Sequence, residues 1–342
     1  SEESAWELAN PATSRALHQI WDYKGPIFNM YMLSSNNKGW GTGMWRIHDF
    51  IQGLGHSPAC DNYSHCYEFV DGKPHPELIA GITIEAGQYW SGFTHEMDHA
   101  VHGFTMKDFP EENPNGTCDQ VTNCSRELSI DYAHIEANTT MNTSLKGPPW
   151  NPEFGFPVSV KIGTPELSHE ATVVFSDGAF RLADRTDLSG KYYQTSDFLL
   201  YHQGLMSRDE AQESEYKLIN YTFPDCNYME GGENTLYCPL NYEFRYDEAI
   251  EFNIEDSIKK FGEYSNPRED VYDPANVKVA VIHIAGRNHT EAEYLIDTKT
   301  YRSWAAVDSE KAWTQFDRTV LNDNPWTYTK KGLSRVITDF SD

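Results

Sequence analysis

The sequence predicts an α+β protein: a histidine-rich, helical or irregular first half and a β-rich second half, for which a sandwich is one arrangement. Three observations carry this. Most of the 13 histidines lie before residue 148. The hydrophobic pattern turns to period two after about residue 150, the signature of half-buried strands. Between the two textures stands Lys146-Gly147-Pro148-Pro149-Trp150-Asn151-Pro152, whose three prolines fix the backbone and remove donors, so it cannot be helix. This places a boundary between 1–147 and 148–342, as two regions or as parts of one continuous domain.

By hydrophobic spacing, helices are expected at 13–21, 44–52, 89–104 and 125–137 in the first half, and at 207–218 and 309–321 in the second. Strands are expected where apolar and polar residues alternate or β-branched residues run together. Residues 157–162 alternate. Residues 171–175 and 179–182 flank Ser176-Asp177-Gly178, a hairpin turn. Residues 276–284 read as a buried strand, with His283 as a satisfied core residue. Residues 292–297 and 300–304 read as another hairpin.

Composition narrows the partners. The 342 residues carry 27 Lys and Arg against 52 Asp and Glu, a net charge of −25. That charge repels nucleic acid and anionic membrane surfaces. No apolar run is long enough for membrane insertion as a helix. With 9 Trp, 20 Tyr and 17 Phe the chain is far too aromatic for a disordered acidic protein.

Two features point to a secreted or extracellular glycoprotein. Asn62, Asn115, Asn123, Asn138, Asn142, Asn220 and Asn288 each begin an N-x-[ST] sequon, where composition alone gives about three. The six cysteines form three close pairs, Cys60/Cys66, Cys118/Cys124 and Cys226/Cys238. Local pairing is the simplest connectivity, each pair closing a short loop of turn-forming residues, and none has the C-x-x-C spacing of a zinc ribbon. Asn62, Asn115 and Asn123, in or beside the Cys loops, are expected at the surface. The chain opens Ser1-Glu2-Glu3 without Met or an apolar leader, as expected where a leader is removed or not included.

There is no G-x-S-x-G elbow and no P-loop, and Gly39-Trp40-Gly41-Thr42-Gly43 is too short for a dinucleotide fingerprint. The chemical lead is His95-Glu96-Met97-Asp98-His99, an H-E-x-x-H. Composition predicts about 0.04 occurrences by chance. On a helix, residues i and i+4 differ by about 40° and stand one turn apart, so two imidazoles there can grip one Zn²⁺. The adjacent Glu96 is placed to take a proton from metal-bound water, whose pKa zinc lowers to about 7. Trp90, Phe93, Met97, Val101 and Phe104 cluster on the opposite face, so the expected helix has an apolar back and a histidine stripe of His95, His99 and His102 facing a cleft.

This stretch resembles the active-site helix of the zincin metallopeptidases, particularly the thermolysin-like gluzincins, whose helix commonly runs H-E-x-x-H-A-V; here it reads His95 to Val101. The family's third ligand is a Glu in E-x-x-x-D, whose Asp orients the first histidine. Glu127-Leu-Ser-Ile-Asp131 has that pattern, 28 residues after His99. The resemblance therefore implies His95, His99 and Glu127 as ligands, Glu96 as base and Asp131 as orienter. Asp98 departs from it, putting a charge where these helices carry a neutral residue. The metzincin pattern fails because His102 occupies its Gly position. His134 is the second candidate for third ligand, ahead of His48, His56, His65 and His75.

The leading expectation is a secreted, disulfide-bonded hydrolase with a histidine-centred zinc site, acting on a small molecule, peptide or glycan. One alternative is a carbohydrate-active or carbohydrate-binding β protein without catalytic metal, its aromatic faces stacking on sugar rings. Another is a cell-surface metal-binding or adhesion glycoprotein. The plainest reading of the H-E-x-x-H is an exposed histidine-rich face on an ordinary amphipathic helix.

Overall fold

The structure is a computed structural model that describes residues 28–35, 43–46, 80–84, 89–101, 106, 109–110, 139–143, 150–151, 156–157, 159–165, 167–176, 179–184, 194–222, 226–229, 235–239, 245–265, 272–284, 290–292, 312–313, 320–321 and 325–337. These residues mix helix and strand, an α+β composition, and they fall into two compact units. Unit 1 draws on Ser1–Ile51, Ser57–Val101 and Asn266–Asp342, and unit 2 on Gln52–His56 and His102–Ser265. This partition does not follow the change of texture near residue 150, because the sheet of unit 1 takes strands from both ends of the chain.

Unit 1 contains β1 (Met30–Ser35), β2 (Gly43–Arg46), β3 (Ala80–Ile84) and α1 (Tyr89–Val101). Unit 2 follows with β4 (Trp150–Asn151), β5 (Phe156–Pro157), β6 (Ser159–Thr164), β7 (Leu167–Ser176), β8 (Ala179–Asp184), α2 (Asp197–His202), α3 (Arg208–Ala211), β9 (Tyr216–Thr222), β10 (Asn227–Met229), β11 (Thr235–Cys238), β12 (Arg245–Phe252) and α4 (Ile254–Phe261). The chain then returns to unit 1 with β13 (Asn276–Ile284), β14 (Ala312–Trp313), β15 (Val320–Leu321), α5 (Pro325–Thr329) and β16 (Arg335–Ile337).

The main sheet of unit 1 has the order β16-β13-β1-β3-β2. Its first four strands are parallel, and β2 runs antiparallel to β3 at the edge. In the central strand Met30 lies opposite Val279 and Ala80, and Met32 opposite Val281 and Ile82. Met30, Tyr31 and Met32 are all buried. Successive strand residues point to opposite faces, so β1 is covered on both, as parallel strands are. Around it Ile82, Val277, Val279, Tyr272, Trp326 and Val336 form one core, joined by Met97, Ala100 and Val101 from α1.

Unit 2 contains a five-stranded sheet, β10-β11-β6-β7-β8, and an antiparallel pair, β12-β9. Gly163, the penultimate residue of β6, sits at φ +120°, where a Cβ would meet the Leu167 carbonyl oxygen at 2.3 Å, so only glycine fits. The core is aromatic. Phe109 and Phe252 pack edge to face at 5.5 Å, and Phe198 meets Phe252 at 5.6 Å and Tyr216 at 5.9 Å. Helix α4 starts at a reciprocal cap: Asn253 accepts from the Glu255 and Asp256 amides while Asp256 accepts from the Asn253 amide.

Several elements match the sequence expectation. Helix is present over Tyr89–Val101, the 171–182 hairpin is β7 and β8, residues 157–162 overlap β6, and 276–284 is β13. Three helices are corrected. Residues 44–46 belong to β2, because the edge of β3 offers unsatisfied backbone partners that a short helical pattern cannot outweigh. Of 207–218 only Arg208–Ala211 is helical, started by the Ser207–Glu210 capping box; from Tyr216 the period is two, with Tyr216 and Leu218 buried. Within 309–321, Ala312–Trp313 and Val320–Leu321 pair as β14 and β15. Helices 13–21 and 125–137 lie outside the described residues. So does the 292–297/300–304 hairpin apart from Ala292, which is helical.

Candidate functional site

Helix α1 leaves β3 after four residues and carries the H-E-x-x-H in its second half. Met97, Ala100 and Val101 bind it to the core of unit 1. One-turn spacing does the rest. The Nε2 atoms of His95 and His99 approach to 3.1 Å, with ring centroids 4.6 Å apart and planes at 88°. This contact is a hydrogen bond between imidazoles, one donating and the other accepting.

The surroundings differ from the expectation of an apolar back and an open histidine front. His99 is 6% exposed and Glu96 7%, and Asp98 is fully buried; His95 alone among residues 95–101 is half-exposed. An exposed histidine face is therefore not what His95 and His99 form. Burial pushes the Glu96 carboxyl up from 4.5 to about 7. Glu96 is thus a buried acid that holds its proton until near neutral pH.

Asp98 is the second correction. The departure from the zincin pattern turns out to be half of a buried ion pair with Lys330, which follows α5. Both side chains are wholly buried. The Lys330 ammonium also lies 4.5 Å from the Trp326 ring centroid, a cation–π contact. Trp326 is itself fixed: its indole N–H donates to Ser334 Oγ at 2.9 Å, and the Ser334 hydroxyl donates to the Pro274 carbonyl at 2.6 Å. Burial holds the Lys330 amine below its ordinary value, and Asp98 opposes that shift.

Glu127, Asp131, His134, His102, His48, His56, His65 and His75 lie outside the described residues. Among the described residues no three His, Cys, Asp or Glu side chains converge as a metal site, so the structure brings together His95 and His99 but shows no third ligand for them. His283 is the penultimate residue of β13, opposite Ser34 of β1.

Of the cysteines, Cys226 and Cys238 form a disulfide, with Cα atoms 4.5 Å apart. The β10–β11 register explains it: Asn227 pairs with Tyr237, which leaves Cys226 facing Cys238. Cys60, Cys66, Cys118 and Cys124 lie outside the described residues, as do Asn62, Asn115, Asn123, Asn138 and Asn288. Asn142 is half-buried, its amide donating to Ser196 Oγ at 2.7 Å, and Asn220 lies in β9.

The residue that sequence reading missed is Lys330. It is 232 positions from Asp98. The only local signal was the misfit of an aspartate in an otherwise core-facing turn, which calls for a cation without saying which one.

No family model, no curated protein and no solved structure matches this chain.

Proposed function

We propose that the chain is a secreted glycoprotein hydrolase that works through a divalent metal, zinc by preference, held by His95 and His99. The observation that carries this reading is the 3.1 Å approach of the two Nε2 atoms. Two nitrogens at 2.0–2.1 Å from a tetrahedral zinc stand roughly 3.3 Å apart, so the pair needs little movement to exchange its shared proton for an ion. Imidazole nitrogen suits zinc, and a third ligand completes the protein's share of a catalytic site while leaving a position for water. Glu127 and His134 are the residues to vary for that ligand, with Asp131 as the orienter if Glu127 serves.

Glu96 follows His95 on the same turn and acts as the general base. A zinc ion held by His95 and His99 would supply a water of lowered pKa, and Glu96 would be placed to take its proton for attack on the substrate. Burial strengthens this role, because a carboxylate in a dry site gains more from receiving a proton than one in water. The substrate is a small molecule, a peptide or a glycan.

Metal analysis joined to turnover tests the reading. Purified protein exchanged into zinc should carry one tightly held ion. Glu96→Gln should keep that ion and lose hydrolysis, since the amide cannot accept the proton. Equal turnover by wild type and Glu96→Gln would remove Glu96 from the mechanism, and absence of bound zinc in the wild type would remove the metal.

A further inference from the structure

We infer that the carboxyl ends of β1 and β13, where Ser34 stands in register with His283, form a second ligand site that takes a small molecule by its phosphate group. The site is independent of the metal reading, because it uses neither His95, His99 nor Glu96.

The order of the parallel strands sets the place. Strands β1 and β13 are neighbours at the middle of the sheet of unit 1. From β1 the chain goes on to β2 and β3 on one side, and from β13 it goes on to β16 on the other. Gly43, the first residue of β2, pairs with Thr83 near the end of β3, so the chain leaves β1 away from β13. The departures of these two neighbours therefore diverge. Open sheets of parallel strands take their ligands at such a point, just outside the carboxyl ends, where the diverging connections leave room for one.

The register sets the chemistry. Met30 pairs with Val279 and Met32 with Val281, and all four belong to or pack against the core that Met97 joins. The next step along that face, by the two-residue period of a strand, is Ser34 with His283. Two apolar layers thus give way to a hydroxyl and an imidazole in the layer at the carboxyl edge. A histidine inside an apolar strand reads as core by pattern alone, but its register places it at this edge. Hydroxyl and imidazole both donate to phosphate oxygens, and an imidazolium adds charge. Ser35, one residue further, belongs to the opposite face. Helix α1 leaves β3 after four residues, so its N-terminus lies at the same edge, and its first turn carries no Asp or Glu. Its free N–H groups and the positive end of its dipole favour an anion there. A phosphate monoester has three free oxygens, one for each kind of donor.

The test is a titration of the full chain, metal-free and labelled with ¹⁵N-histidine, with inorganic phosphate at constant ionic strength. His283 is assigned by the signal that His283→Gln removes. Its ring-nitrogen signals should move and saturate, while those of His95 and His99 stay in place. Ser34→Ala should weaken phosphate binding about tenfold, the loss of one hydrogen bond to a charged group. Ser35→Ala, on the other face, should leave the affinity within about twofold. Should Ser34→Ala fail to fold, the wild-type response of His283 decides alone. An unresponsive His283, a response carried by His95 and His99 instead, or equal weakening by folded Ser34→Ala and Ser35→Ala would each overturn the inference. Zinc enters none of these readings, so a chain that binds phosphate at His283 but no zinc loses only the metal reading, and the converse loses only this one.

Discussion

The two units bury their polar groups in opposite ways. In unit 2 rings dominate the core, and the buried histidine among its described residues, His202, is kept neutral by burial. His202 lies against Phe198 at 4.8 Å, with its Nε2 3.0 Å from Ser257 Oγ. That hydroxyl donates to the Ile254 carbonyl, so the imidazole Nε2–H donates to it. Burial presses the His202 pKa down from 6.5 to about 3. In unit 1 the interior keeps charge. It holds an ion pair, a carboxyl that titrates near neutrality, and a histidine pair at its edge. Unit 1 accepts desolvation of charge that apolar packing alone would avoid. Titratable groups perturbed by burial and gathered on one helix are what a chemical site needs.

The largest effect expected follows from breaking that pair on one side. Lys330→Ala should destabilise unit 1 by about 3–5 kcal/mol, since Asp98 is left buried and uncompensated. Phe198→Ala should cost unit 2 a similar amount, about 3–5 kcal/mol, through its cavity. Hydrogen exchange that reports each unit separately distinguishes them. The contrast sharpens on repair: adding Asp98→Asn to a Lys330→Met background should recover most of the loss, whereas no second change of polarity can refill the Phe198 cavity.

The units should also respond oppositely to acid. Glu96 has a folded pKa above its unfolded value of 4.5, so the folded state holds the extra proton between pH 4.5 and about 7. Its share of stability is therefore complete below 4.5 and is lost as pH rises through 7, by about 3 kcal/mol. His202 has a folded pKa below its unfolded 6.5, so the unfolded state takes the proton first. Its share is complete above 6.5 and is lost as pH falls toward 3, on the order of 5 kcal/mol. Protection in metal-free protein measured from pH 7.5 to 4.5 should rise in unit 1 around Glu96 and fall in unit 2 around His202. Parallel trends in both would break the comparison.

These contrasts bear on what could be read from residues alone. The helix was legible because its pattern is local: Met97 and Val101 at helical spacing, and His95 and His99 one turn apart. The β7–β8 hairpin was legible because Ser176-Asp177-Gly178 announces its turn, and the Cys226–Cys238 bridge because a short loop is easily closed. The parallel sheet was not. Its strands β1, β3, β13 and β16 lie hundreds of residues apart at the extremes, and a buried parallel strand such as Met30–Ser35 lacks alternation. The same holds for Asp98 with Lys330. Short amphipathic stretches such as 207–218 misled because a capped single turn and the start of a strand together imitate a longer helical period.

A smaller effect tests the cap that starts α4. Asn253→Ala removes the acceptor for the Glu255 and Asp256 amides. A loss of about 1 kcal/mol is expected. Arg208→Ala should cost less still, because its pairs with Glu255 and Glu263 are exposed and screened by solvent. Thermal denaturation of the two variants should rank them in that order, and a larger loss for Arg208→Ala would mean the exposed pairs act as a network.

The central claim is that His95 and His99 hold one metal ion between them. Crystals grown with zinc and measured on both sides of the zinc absorption edge test it most directly. The account predicts an anomalous peak about 2.0–2.1 Å from Nε2 of both His95 and His99, with Glu96 turned toward the metal-bound water, and no peak there in crystals of His99→Ala. Fully loaded crystals in which His95 and His99 keep their imidazole–imidazole hydrogen bond, with no anomalous density between them, would contradict it.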